Sequence, residues 1–138
     1  MKWTALLTFS LYLLMSMETR SAPQISISVS TEETQVEESE IGELHVNVSR
    51  SDAAAFEKSG YVRYRDFGAA GDGATDDAIA IAATHAYANQ EDLKVRAASG
   101  ISYYIGGRDL TAIIQTDTDF GNASFIIDDT AVENRNAP

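Results

Sequence analysis

The sequence predicts an all-β class in which short strands stack into a solenoid start and one alanine-rich helix caps its N-terminal end, and three observations predict it. First, Ile25, Ile27 and Val29 alternate with Ser26, Ser28 and Ser30, and Leu44, Val46 and Val48 alternate with His45 and Asn47. Period-two alternation of this kind belongs to half-buried strands. Second, the chain after Gln90 breaks into short segments rich in branched and aromatic residues: Leu93–Ala97, Ser102–Ile105, Ala112–Gln115 and Ser124–Ile127. Gly100, Gly106, Gly107 and Gly121 punctuate them, which is the rhythm of a parallel solenoid whose turns give short strands to separate sheets. Third, Ala78–Ala88 is alanine-rich with strong helix propensity, while Ser51-Asp52 is placed to cap a single helical turn over Ala53–Lys58. An ordinary antiparallel domain gives similar strand spacing; the helix upstream favours the solenoid.

Residues 61–90 organise the rest. Tyr61 to Phe67 alternates, with Tyr61, Arg63 and Arg65 on one side and Val62, Tyr64 and Asp66 on the other, which predicts a short strand. Gly68, Gly71 and Gly73 then let the backbone take positive φ, so the chain turns sharply. Thr75 stands where an N-cap is expected, and Asp76 and Asp77 would complement the positive end of the helix dipole. Ile81, Thr84, His85 and Ala88 share one helix face. A half-buried, hydrogen-bonded His85 is the simpler reading, and a catalytic or metal role its rival. His45 is the only other histidine, at no recognisable ligand spacing. Asp72, Asp76 and Asp77 are oxygen donors of the kind calcium takes, but their spacing does not fit an EF-hand loop, and capping explains them. A phosphate-binding loop is disfavoured because no lysine follows the glycines.

The run DFGAAGDGATDD, from Asp66 to Asp77, followed by an alanine-rich helix, resembles the start of the pectate-lyase-like family of right-handed parallel β-helices. Looser similarity extends to about Asp129. The resemblance implies a β-helix start with an N-terminal capping α-helix. It also implies a secreted polysaccharide lyase or glycoside hydrolase, or a phage tail-spike module. Two positions depart from the family pattern. His85 stands where an apolar residue is usual, and Ala98-Ser99-Gly100 replaces a Pro-x-Gly.

The chain opens with Lys2 and an apolar run from Trp3 to Met15, the makings of a secretory leader cut between Ser16 and Ala22. The run is short for a membrane span, and an uncleaved anchor is the alternative. The expected organisation is a leader over 1–22, an acidic linker with short strands over 23–59, and the capping helix with the first solenoid turns over 60–138. Losing Lys2 and Arg20 against Glu18 moves the formal charge from −11 to −12. So acidic a chain argues against nucleic acid and anionic membranes as partners. It would also repel an acidic polysaccharide unless a local basic groove or a cation intervened. With no cysteine, no disulfide braces the fold. Asn47-Val48-Ser49 and Asn122-Ala123-Ser124 match the N-glycosylation acceptor pattern, which matters only in a eukaryotic secretory pathway.

A solenoid needs about three stacked repeats and caps at both ends, and only one or two turns are legible, so the expectation is an N-terminal part of a longer protein. Asp117, Asp119, Asp128 and Asp129 are the carboxylates, and Arg96 and Arg108 the basic residues, nearest to where family grooves lie. Each also reads as an ordinary turn or surface residue, so no catalytic residue, cofactor site or metal site is assigned. Calcium belongs to the full-length family by resemblance only. Two function classes follow. One is a secreted carbohydrate-active enzyme on acidic or plant-type polysaccharide; the other is a non-catalytic module for glycan binding or surface attachment, or an inactive truncated product.

Overall fold

The computed structural model describes residues 24–130; the expected leader lies outside them. Strands β1 (Ile25–Ser30), β2 (Gln35–Glu38) and β3 (Leu44–Ser49) precede helix α1 (Arg50–Ser59). Strand β4 (Tyr61–Arg63), a 3-10 turn (Tyr64–Phe67), β5 (Asp72–Asp76) and helix α2 (Ala78–Glu91) follow. The described chain finishes with β6 (Lys94–Arg96), β7 (Ser102–Ile105), β8 (Thr118–Asp119) and β9 (Ser124–Ile127). They form three three-stranded sheets with orders β1-β3-β2, β4-β6-β8 and β5-β7-β9. The first is mixed, β1 running parallel and β2 antiparallel to β3. The other two are parallel throughout.

This is an α/β fold, and it corrects the expected all-β class. No right-handed parallel β-helix is formed among the described residues. The physical reason lies in what fills the centre. In the expected fold, α2 would lay one face over the end of a stack of strands. Here α2 is buried on nearly every side, from Ala78 to Ala88 with Ile79 and Ala86 the half-buried exceptions. A helix apolar all round belongs in a core rather than on an end. Ile81, Ala83, Tyr87 and Ala88 pack with Val46 and Val48 of β3, Val62 of β4, Val95 of β6 and Tyr103 of β7. Each large apolar side chain so buried contributes about 1.5–3 kcal/mol relative to exposure. The antiparallel β2–β3 pair is also foreign to a parallel solenoid. Glu37 and Glu38 of the acidic run thus belong to a strand, with Val36 opposite Val46 in the ladder.

Local chemistry sets the helix ends. Ser49 is extended, and its hydroxyl accepts from Asp52 N–H at 3.1 Å, so α1 begins one residue beyond it. Gly60, at φ 76°, ends α1 with its N–H donated to Phe56 O at 2.8 Å. Phe56 reaches from α1 to Phe67 and Tyr87, with ring centroids 6.0 and 5.9 Å apart.

The glycine turn is built differently from the expectation. Thr75 and Asp76 belong to β5, and Asp77 takes the N-cap position of α2. Its carboxylate does not cap the helix; it reaches back to accept from Ala70 N–H at 2.7 Å and Gly71 N–H at 3.1 Å. Asp72 accepts from Ala74 N–H, Thr75 N–H and the Thr75 hydroxyl at 2.9, 2.7 and 2.7 Å. Those bonds, that from Thr75 N–H first, hold the Asp72 carboxyl down to about 2. Gly71 sits at φ 64°, and a Cβ there would overlap the Ile101 side chain. Gly71→Ala combines left-handed strain with overpacking and is expected to cost about 2–4 kcal/mol. Chemical denaturation checks it, and an unchanged midpoint would contradict the tight approach.

His85 is fully buried rather than half-buried. Its Nε2 meets the Tyr64 hydroxyl at 2.9 Å, while its Nδ1 has no hydrogen-bond partner. Burial pushes the imidazole pKa below its usual 6.5, favouring the neutral ring. The unfolded chain therefore binds the proton more readily than the folded one. Stability from neutral His85 is complete above pH 6.5 and is lost as pH falls from there towards the lowered folded value. His85→Leu, which cannot titrate, should flatten the stability–pH curve in that window, where wild type loses up to about 1.4 kcal/mol per pH unit. Parallel slopes for the two proteins would refute this.

Candidate functional site

The outer face of β4-β6-β8 gathers cations that the sequence scatters. Val62 and Val95 point into the core at 0% exposure, so alternation turns Tyr61, Arg63, Lys94 and Arg96 outward. The parallel register sets Tyr61 beside Lys94 and Arg63 beside Arg96, and then Arg96 beside Asp119. Neighbouring strands are about 4.8 Å apart, so two guanidinium stems rise side by side. Like charges placed opposite each other in a sheet are destabilising, and Tyr61 offsets part of that repulsion. The Arg96 guanidinium carbon lies 4.2 Å from the Tyr61 ring centroid and that of Arg63 lies 5.1 Å from it. Both distances are within cation–π range. Arg63 Nη2 also donates to the Tyr61 hydroxyl at 2.7 Å.

Neither guanidinium is paired with a carboxylate among the described residues. Lys94 meets Asp117 at 3.4 Å, but both side chains are well exposed, so the pair holds the ammonium only weakly. Beside these cations runs an open groove of about 450 Å³, lined by Lys94, Val95, Arg96, Asp117, Thr118 and Asp119. Arg63, Lys94 and Arg96 outnumber Asp117 and Asp119 on this open face, and the two guanidiniums suit carboxylates because each offers paired donors in the geometry a carboxylate accepts.

Of the residues expected near a groove, Arg96, Asp117 and Asp119 come together here. Arg108, Asp128 and Asp129 do not. Arg108 instead ties β5 to β2, donating to Asp76 at 2.6 Å and Glu38 at 2.8 Å. Partial burial pushes the Asp76 carboxyl up, but the Gly106 and Ala78 amides and Arg108 outweigh it and hold the pKa below the usual value. Asp128 accepts from the Tyr104 hydroxyl across β7 and β9, and Asp129 follows the end of β9. The sequence marks Tyr61 and Arg63 only as one face of a strand, not as site residues, and does not mark Lys94. The signal was present in two matching triplets, Tyr61-Val62-Arg63 and Lys94-Val95-Arg96, each a buried valine between outward polar residues. Their adjacency needs the strand register, which no local pattern supplies. Among the described residues, no group of three or more histidine, aspartate or glutamate side chains is placed to hold a metal ion.

No family model, curated protein or solved structure matches the chain. The class these observations define is an α/β chain of three small sheets with an open cationic face.

Proposed function

We propose that the chain is an exported carbohydrate-active protein that binds an acidic, plant-type polysaccharide across the outer face of β4-β6-β8. The observation that carries this reading is the adjacency of Arg63 and Arg96 over Tyr61, with no carboxylate paired to either guanidinium among the described residues, in a chain of formal charge −11. Elsewhere the chain's charge repels a polyanion, so a binding face must concentrate its cations, and this one does. Export is supported by the apolar opening of the chain, and the carbohydrate class by the DFGAAGDGATDD resemblance. Binding is the element that the geometry supports best, and no residue is assigned to cleavage.

Calorimetric titration with oligogalacturonate and with a neutral galactan of equal length tests the reading. Oligogalacturonate should bind, and binding should weaken as salt rises, because exposed charges are screened. Equal affinity for both sugars, or none for either, would reject it. Unsaturated or reducing ends released during the titration would extend the proposal from binding to cleavage.

A further inference from the structure

The two N-x-S triplets are not equivalent once folded, and we infer that Asn122 is an N-glycan attachment site while Asn47 is not. Asn47 lies in β3, the middle strand of its sheet, between Ser28 of β1 and Gln35 of β2. Its amide is used at both ends: Nδ2 donates to Glu33 O at 3.0 Å, and Oδ1 accepts from the Ser28 hydroxyl at 3.2 Å. The third residue of that triplet, Ser49, is 8% exposed and caps α1. A glycan on Asn47 Nδ2 would take one of its two hydrogens, crowd the Glu33 carbonyl and place a sugar between two strands.

Asn122 is the reverse case. It lies exposed in the turn between β8 and β9, after Gly121 at φ 52°. Its Oδ1 accepts from Gly100 N–H at 2.8 Å and from the Ser99 hydroxyl at 2.6 Å. A backbone N–H can only donate, so the oxygen must face Gly100 and the nitrogen must face away. That nitrogen has no partner among the described residues, and it is the atom a glycan takes. In the transfer, the anomeric carbon of a lipid-linked oligosaccharide breaks its bond to the diphosphate and forms one to Nδ2. The nitrogen gives up a proton and the lipid diphosphate leaves. Oδ1 keeps both of its hydrogen bonds, so the native turn tolerates the product.

The inference rests on the proposed export, and the test separates the two. The full chain is expressed in cultured eukaryotic cells in two forms, one with its own residues 1–22 and one with a proven secretion leader in their place. Absence of the first form from the medium rejects export alone, because the second still meets the transferase. Glycosidase release in heavy-oxygen water leaves a labelled aspartate wherever a glycan stood. Label at Asn122 alone supports the inference. Label at Asn47, or at neither position in secreted protein, overturns it. Asn122→Asp keeps the acceptor oxygens, and Ser124→Ala leaves Asn122 untouched; both should lose the glycan completely while remaining secreted and folded.

Discussion

Replacing Asp77 by alanine should destabilise the protein by about 2–4 kcal/mol, because two backbone amides lose the carboxylate that satisfies them. Asp77 is 1% exposed and joins three parts of the fold. Its carboxylate holds Ala70 and Gly71 in the turn, its N–H donates to Tyr104 O of β7 at 2.8 Å, and its carbonyl accepts the first bond of α2 from Ile81 at 2.9 Å. Only the first set is lost in Asp77→Ala, but those bonds fix the glycine turn against Ile101. For a domain of this size the cost corresponds to a melting temperature lowered by about 10–20 °C. Asp77→Asn retains one acceptor oxygen and should lie between the two. A melting temperature for Asp77→Ala within a few degrees of wild type would show that water replaces the carboxylate without cost.

The second large effect concerns binding. Arg63→Ala with Arg96→Ala removes both guanidiniums from the outer face of β4-β6-β8. Each charge-assisted hydrogen-bonded contact is worth about 1.5–3 kcal/mol, so oligogalacturonate affinity should fall by about 100-fold or more. Neither residue is in the core, and the melting temperature should hardly move. Lys58→Ala, on α1, is the control and should bind as wild type does. Tyr61→Phe keeps the ring beneath Arg96 but loses the Arg63 bond at 2.7 Å, and a few-fold loss is expected. If the double substitution binds as tightly as the control, the acidic polysaccharide is held elsewhere or not at all.

The local grammar of this chain was legible and its assembly was not. Alternation in Ile25–Ser30 and Leu44–Val48, and the aromatic and branched residues of Ser124–Ile127, mark strands that the structure contains. The same reasoning fails at Ala112–Gln115, whose branched residues suggest a strand. Ile113 and Ile114 are exposed there, and the backbone at Ile113 and Gln115 bonds to the Asn89 side chain instead of a ladder. A run of suitable residues becomes a strand only where a partner strand presents itself. In the acidic stretch the opposite occurs: Gln35–Glu38 carries one apolar residue, and β3 supplies the pairing. The solenoid expectation fails for a related reason. Ala78–Ala88 has too little polar surface to sit over an end, and that composition already pointed to a central helix. The candidate site was the least legible feature, since Arg63 and Arg96 become neighbours only through a parallel register.

That parallel pairing also governs how the chain must reach its native state. Tyr61 pairs with Lys94, Val95 with Thr118 and Ser102 with Ser124, and no tight hairpin joins any of these partners. Each ladder therefore forms only after a long loop has closed, and the entropy of closure is spent before a hydrogen bond repays it. Chains dominated by such non-local pairing cross their folding barrier in about milliseconds to seconds. Until they do, β8 and β9 stand as bare strands, with Ile126 and Ile127 in β9 and Phe120 just after β8 each more than 40% exposed even in the finished fold. The large negative charge then acquires a kinetic role. It keeps half-folded copies apart for as long as those strand edges are open.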